Sequence, residues 1–228
     1  MLVIGHRGAP SMEHENTIKS FKIALSHNVD GLEFDVQYTK DNQLVVYHDF
    51  DIEYNQKTYQ ISNLSFQELN SFKLNYKIPT FEEVIQICPL DKIINIEIKS
   101  QKIVHKHLIT QMINILIKYN LSDNVIISSF NPFVLLALKK QSNKFKIGLL
   151  WSKSISEKWY VTRHAYKLLK PYSLHADVQA INIKISRWAQ TKGMKLFLYT
   201  VNDRQSLKKA LHVGADAIFS DYPQILEK

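Results

Sequence analysis

Short apolar segments alternate with amphipathic helical stretches along this chain, and that rhythm limits the fold more than any other feature of the sequence. Segments of strand character fall at Leu2 to Gly5, Gly31 to Gln37, Ile93 to Lys99, Val125 to Ser128, Lys146 to Leu150, Leu174 to Val178, Lys195 to Val201 and Ala217 to Ser220. Helical patterns lie between them at Thr17 to His27, Phe81 to Cys88, Ile103 to Tyr119, Pro132 to Lys140, Ile183 to Thr191 and Arg204 to His212, with Asn16 and Asn131 as N-caps. Repeated βα units build parallel sheets. Eight of them predict an α/β fold of the TIM type, a closed (β/α)8 barrel, in preference to an open doubly wound sheet. Gln43 to His48 reads as an extra strand and the polar stretch Asp49 to Lys77 as an inserted segment. The expectation is one barrel domain over residues 1–228 with an insertion at about 43–78. Ser152 to Pro171 reads as helical.

A chain of 228 residues suits one such domain better than two small ones. Its 45% hydrophobic and 22% charged content excludes disordered and fibrous classes. The apolar runs fall well short of the ~20 residues that a membrane-spanning helix needs, so no span is expected. Met1 to Gly5 leave no room for a secretory signal ahead of the first candidate site residue, and the lone Cys88 excludes an internal disulfide framework. Both point to the cytoplasm. The net charge of +8 comes from scattered lysines without a basic helical stripe. It reads as a field that steers small phosphates rather than a nucleic-acid footprint.

Side chains alternate across a strand, so in Gly31-Leu32-Glu33-Phe34-Asp35-Val36 the two carboxylates share one face. In Asn95-Ile96-Glu97-Ile98-Lys99 the same alternation groups Asn95, Glu97 and Lys99 against the isoleucines. The apolar faces must meet the helices, which sends Glu33, Asp35, Glu97 and Lys99 into the barrel at the strand ends where barrel enzymes keep their active sites. Three inward carboxylates raise one another's pKa unless a cation neutralises them. All-oxygen ligation favours Mg²⁺ or Ca²⁺ over zinc. Three carboxylates, one divalent cation, Lys99, Arg7 and one phosphodiester sum to zero charge, so the site balances only with an anionic substrate. For a single acid, an ordinary surface ion pair is the better reading; two i, i+2 pairs on adjacent strands favour a site.

His6 follows the first strand with Arg7 and Gly8 behind it, and His48 ends the extra strand beside Asp49. Two histidines across a phosphate supply a base for the nucleophile and an acid for the leaving alkoxide. The division between them is open, with His48 as first choice for the acid. Arg7 suits bidentate phosphate binding, and Gly8 allows close backbone approach to the phosphate. His105 and His107 lie two apart on a helix and do not face each other. His14, His27, His164, His175 and His212 show no partnering pattern.

His6-Arg7-Gly8-Ala9, Glu15-Asn16-Thr17, Glu33-Phe34-Asp35-Val36, Asp41 and Val45-Val46-Tyr47-His48-Asp49 together resemble the signature of the glycerophosphodiester phosphodiesterases. The resemblance continues through Ile78-Pro79-Thr80-Phe81-Glu82-Glu83, Asn95-Ile96-Glu97-Ile98-Lys99, Ser129-Phe130, Tyr199-Thr200-Val201-Asn202, Gly214-Ala215-Asp216 and Ser220-Asp221-Tyr222-Pro223. It implies a TIM-type barrel that releases sn-glycerol 3-phosphate and an alcohol from a small diester. Glu33, Asp35 and Glu97 carry over as metal ligands, His6 and His48 as the acid/base pair, and Arg7 and Lys99 as phosphate contacts. Tyr199 stands where the family usually has Trp and keeps an aromatic wall. Phe50-Asp51-Ile52-Glu53-Tyr54-Asn55 replaces the family's usual Leu, Arg and two Thr in the insertion, which by the resemblance borders the substrate and leaves the accepted alcohol open.

Two other functions compete. A phosphodiesterase of lysophospholipids, or one that closes a cyclic phosphate, needs an apolar entrance, for which Phe50, Tyr54, Trp151, Trp159 and Tyr160 are candidates. Aromatic residues in barrel loops are more often local packing. A barrel without turnover that only binds a phosphate ligand predicts the loss of a histidine or a metal ligand, and His6, His48, Glu33, Asp35 and Glu97 are all present.

Overall fold

A computed structural model describes residues 1–100, 106–153 and 159–225. The chain runs β1 (Leu2–Gly5), α1 (Ile18–Ser26), β2 (Gly31–Tyr38), β3 (Leu44–Val46), β4 (Asp51–Tyr54), β5 (Lys57–Gln60), a 3₁₀ turn (Ile61–Asn63), α2 (Phe66–Ser71) and α3 (Phe81–Ile85). It continues through β6 (Ile93–Ile98), α4 (Lys106–Lys118), β7 (Val125–Ser129), α5 (Pro132–Gln141), β8 (Lys146–Trp151), α6 (Trp159–Leu169), β9 (Ser173–Asp177), α7 (Ile183–Thr191), β10 (Lys195–Tyr199), α8 (Arg204–His212) and β11 (Ala217–Ser220). Strands β1, β2 and β6 to β11 pair in parallel in that order, and β11 returns to β1 to close an eight-stranded barrel. The predicted start of α4 at Ile103, with His105, and residues 154–158 of the predicted Ser152 to Pro171 helix lie outside the described residues. No helix among the described residues is long and apolar enough to cross a membrane.

Two apolar layers follow from the alternation. Leu32, Phe34, Ile94 and Ile96 pack outward with Phe21, Phe81 and Met112 of the helices, while Ile4, Ile126, Phe197, Ala217 and Phe219 fill the barrel interior. Helix α3 begins where Thr80 accepts from the Glu83 N–H and Glu83 accepts from the Thr80 N–H, a reciprocal cap written in Thr80-Phe81-Glu82-Glu83. Asn131 caps α5 as predicted. For α1 the cap is Thr17, whose hydroxyl accepts from the Ser20 N–H. Asn16 sits one residue earlier with φ of 56°, a left-handed conformation that Asn tolerates, and its side chain goes to the site instead. Cys88 is buried, which pushes its thiol up to about 12.

The inserted segment is more ordered than its polarity suggests. Strands β4 and β5 form a hairpin turned at Asn55 and Gln56, both with positive φ. Only Ile52 is fully buried in β4 and no residue of β5 is, so there was little alternation to read. Ile52, Ile61, Leu64, Leu69 and Ile78 make a separate apolar cluster with Val45 of β3. The stacked rings of His14 and Tyr76, 3.4 Å apart, tie this segment to the β1–α1 loop.

His175, without a pattern in sequence, is fully buried inside the barrel. Its Nε2 lies 2.8 Å from Ser173 Oγ, its ring stacks on Phe197, and it fills the space left by Gly148, where a Cβ would come within 2.6 Å of Cε1. Burial pulls its pKa from 6.5 down to about 3. Between those values only the unfolded chain takes up the proton, so stability is full above the unfolded value and falls as pH drops below it, by about 1.4 kcal/mol per unit at the limiting slope. Between pH 7 and pH 5 the urea midpoint of the wild type should fall more steeply than that of His175→Gln. Parallel pH profiles would show that His175 is not the titrating group.

Candidate active site

Strands β2 and β6 lie side by side with Asp35 opposite Glu97 and Glu33 opposite Asn95. Their acid side chains enter the barrel together, and ligand oxygens of Glu33, Asp35 and Glu97 all lie within 4.8 Å of one another. Burial, then Asp35 and Glu97, hold Glu33 well above the usual carboxylate range; burial, then Asp35, pushes Glu97 up to about 7. Asp35 stays low although burial opposes it, because Lys99 and Arg7 face it. Two of three converging carboxylates are thus driven toward the protonated form by burial and then by one another. An all-oxygen donor set in that condition fits a hard divalent cation.

Around this cluster the cations are held in place. Lys99 Nζ is 3.1 Å from Glu97 Oε1 and 3.6 Å from Asp35 Oδ1. Burial works against its charge, but Glu97 and Asp35 more than restore it. Arg7 has Nε 3.3 Å from Asp35 Oδ2 and Nη1 2.9 Å from Glu15 Oε1, and its backbone N–H donates to Glu33 Oε2 at 2.9 Å. Asn16 donates from Nδ2 to Asp35 Oδ2 at 2.9 Å, and its Oδ1 accepts from the Asp35 N–H. Gly8 follows Arg7 in the β1–α1 loop. Its φ is 92°, and a Cβ there would lie 2.4 Å from Ser20 Oγ, so the missing side chain admits helix α1.

The two histidines share one geometry. His6 extends β1, its N–H donates to the Ser220 carbonyl, and its Nδ1 lies 2.7 Å from Asp221 Oδ1, with Nε2 4.0 Å from Glu33 Oε2. His48 follows β3, which pairs antiparallel with the end of β2, and its Nδ1 lies 2.7 Å from Asp49 Oδ1. Gln37 Nε2 donates to the carbonyls of Tyr47 and Asp49, pinning the backbone on both sides of His48. A carboxylate at Nδ1 fixes the tautomer and leaves Nε2 for chemistry.

His6, Arg7, Glu33, His48, Glu97, Lys99 and Tyr199 line one cavity of about 570 Å³, and Asp35 lies buried beside it. Tyr199 donates its hydroxyl to the Trp151 carbonyl and meets Phe130 edge to face at 6.3 Å. Among the aromatic candidates for an apolar entrance, Phe50 lines the cavity with Lys99 5.9 Å from its ring centre. Tyr54 instead stacks on Phe72, and Trp151 belongs to the core. The side chains of Trp159 and Tyr160 lie outside the described residues.

The sequence model of the glycerophosphoryl diester phosphodiesterase family matches residues 6–225. The chain belongs to that family. A glycerophosphodiester phosphodiesterase of Caldanaerobacter subterraneus is 33% identical over 99% of this chain and 96% of its own length. The crystal structure of a glycerophosphodiester phosphodiesterase from Thermotoga maritima superposes with a TM-score of 0.82 at 29% identity, covering 100% of this chain and 97% of that one. An Oleispira antarctica phosphodiesterase, solved in complex with the product sn-glycerol-3-phosphate, gives 0.87 at 25% identity over 100% and 95% of the two chains. As a member of the glycerophosphoryl diester phosphodiesterase family, the protein is a phosphoric diester hydrolase. Four residues of this phosphodiesterase site carried no site role in the sequence: Gln37 behind His48, Asp221 behind His6, and Asn16 and Glu15, which hold Asp35 and Arg7. Asp221, Asn16 and Glu15 each lie inside a matching motif, which gave their place but not their partner.

Proposed function

We propose that this family member hydrolyses glycerophosphodiesters to sn-glycerol 3-phosphate and an alcohol with a divalent cation, Mg²⁺ or Ca²⁺, held by Glu33, Asp35 and Glu97. The observation that carries this reading is the convergence of those three carboxylates, with Arg7 and Lys99, in a cavity flanked by two aspartate-backed histidines. The unit that does this is taken as one barrel domain over residues 1–228 with 43–78 inserted, and its place as the cytoplasm, on the strength of the lone Cys88. A bound divalent cation supplies charge neutralisation and polarisation of a phosphoryl oxygen.

The chain's own residues do the rest. With Nη1 on Glu15 and Nε toward Asp35, Arg7 has Nη2 left for a phosphoryl oxygen, and the Lys99 ammonium serves a second. His48 takes the proton of the attacking O–H and His6 gives one to the leaving alkoxide. This reverses the first choice from sequence, on two grounds. Burial, with Lys99 and Arg7 nearby, lowers His48 below its ordinary value, so that it is neutral at pH 7, the state of a base. Behind His6, the Asp221 side chain is 26% exposed and remains ionised, whereas Asp49 behind His48 is 70% exposed and screened. The less exposed carboxylate behind His6 is therefore the less screened of the two and holds its ring the more firmly.

Purified protein should release sn-glycerol 3-phosphate from a panel of glycerophosphodiesters, lose that release on chelation and regain it with Mg²⁺, Ca²⁺ or Mn²⁺. Release of a cyclic phosphate instead would make the attacking group the substrate's own hydroxyl. No hydrolysis of any diester with any of the cations would overturn the reading.

A further inference from the structure

Lysines that are scattered along the sequence are gathered by the fold. In a barrel of parallel strands every strand begins, and the helix before it ends, at one face, opposite the mouth that holds the carboxylate cluster. Lys140, Lys144 and Lys146 lie there between the end of α5 and the start of β8, Lys167 and Lys170 at the end of α6, and Lys192 after α7. All six are exposed, and none pairs with an acid among the described residues. The lysines on either side of them, Lys118 and Lys195, are neutralised by Glu82 and Asp216. Strands β8, β9 and β10 are neighbours and packed helices lie roughly 10 Å apart, so the six lysines share a face about 20 Å across. Lys146 Nζ stands 5.2 Å from the ring centre of Tyr172, and Lys192 Nζ 5.9 Å from that of Tyr166, which joins the three units into one surface.

Lysine in the last turn of a helix is favoured by the helix dipole, and that accounts for Lys140 and Lys167 without any partner. It does not account for Lys144 and Lys170, which lie beyond the helix ends, or for the apolar side chains among them. Leu168, between Lys167 and Lys170, is 65% exposed, and Tyr172 is exposed at the start of β9. Leu90, Ile117 and Leu211 are exposed at the same end of the barrel. Leucine surrounded by unpaired lysines gains nothing from water.

We infer that this base of the barrel, centred on the ends of α5, α6 and α7, is a docking surface for an anionic lipid bilayer. Apolar side chains set among basic ones suit such an interface, with leucine entering the boundary between headgroups and acyl chains and lysines spread over the lipid phosphates. Each lysine held near an anionic membrane adds attraction. The six cations are all lysine, a point charge suited to a diffuse field, whereas nucleic-acid phosphates and base edges are read by the arginine fork and by free aromatic faces. The rings at hand, Tyr166 and Tyr172, already have a lysine over them. Docked on this face, the protein turns its mouth toward the solution, and the surface does not compete with the cavity.

The inference stands apart from the phosphodiesterase reading, because binding is measured without turnover. The whole chain is floated at physiological salt with phosphatidylcholine vesicles, with and without phosphatidylglycerol. The wild type should float with the anionic vesicles and not the neutral ones, and raised salt should release it. Removing three charges from the base with Lys144→Gln, Lys167→Gln and Lys170→Gln together should weaken binding about a hundredfold, and Leu168→Ser alone about tenfold. Lys40→Gln, Lys57→Gln and Lys73→Gln together remove the same charge from the segment after β2, at the mouth end, and should stay within about threefold of the wild type. All variants should melt with the wild type, since every substituted side chain is exposed. Equal losses in the two triple variants would reduce the effect to net charge and overturn the surface. Failure of the wild type to float, or Leu168→Ser binding as the wild type does, would overturn it too. Tighter binding to a double-stranded oligonucleotide than to the anionic vesicles, lost with the same three base lysines, would give the surface to nucleic acid and overturn the bilayer assignment.

Discussion

His6→Ala and His48→Ala should each lower sn-glycerol 3-phosphate release by roughly 10²- to 10⁴-fold, the usual worth of one general acid or base, while the fold and cation affinity persist. Both rings project from the barrel mouth rather than the core, and neither belongs to the carboxylate cluster. The two losses should differ in kind. A nitrophenyl phosphodiester has a leaving group that needs no proton, so it should rescue His6→Ala, which lost the acid, and leave His48→Ala impaired. Rescue of His48→Ala alone would restore the opposite assignment. Equal rescue of both, or of neither, would end the division of labour. Asp221→Asn should fall between wild type and His6→Ala, since it removes the carboxylate that supports the imidazolium but leaves the ring.

Glu33→Gln and Glu97→Gln should each cost roughly 10³-fold or more in activity, beyond the 10- to 100-fold typical of groups that only support a metal ligand. Stability should move the other way in the cation-free protein. Burial and like charge hold Glu33 and Glu97 in an unfavourable state, so a neutral Gln relieves repulsion and the chelated variants should melt no lower than the chelated wild type. Added cation should then raise the melting temperature of the wild type and not of the variants. Variants that keep full activity after exhaustive chelation would remove the metal role from these residues.

The fold and the heart of the site were legible because both rest on period-two alternation. Glu33 with Asp35, and Glu97 with Lys99, could be placed on inward faces before any coordinate, and the structure brings them together. Contacts across the barrel were not legible in the same way. Asp221 and His6 lie 215 residues apart, and nothing in the local pattern of either names the other. Asn16 had the composition of an N-cap, but Thr17 beside it takes that role and frees Asn16 to serve Asp35. The packing behind two glycines was not legible either: the missing side chain of Gly8 makes room for α1, and that of Gly148 for His175. His175 showed no partner in sequence because the strand read as Leu174 to Val178 begins one residue past Ser173, with which His175 pairs. Starting it at Ser173 puts Ser173, His175 and Asp177 on one inward face. The internal structure of the insertion was not legible for a different reason: its core is shared among β3, a hairpin and a short helix, so no single segment shows a period.

The most direct test is a cation titration of the chelated protein, with binding and turnover read on the same sample. The wild type should bind one divalent cation per chain, and sn-glycerol 3-phosphate release should return in proportion to that occupancy. In Glu33→Gln and Glu97→Gln both should be lost together. Full turnover in the chelated wild type, or cation binding in the variants as tight as in the wild type, would contradict the assignment of Glu33, Asp35 and Glu97 as the metal centre.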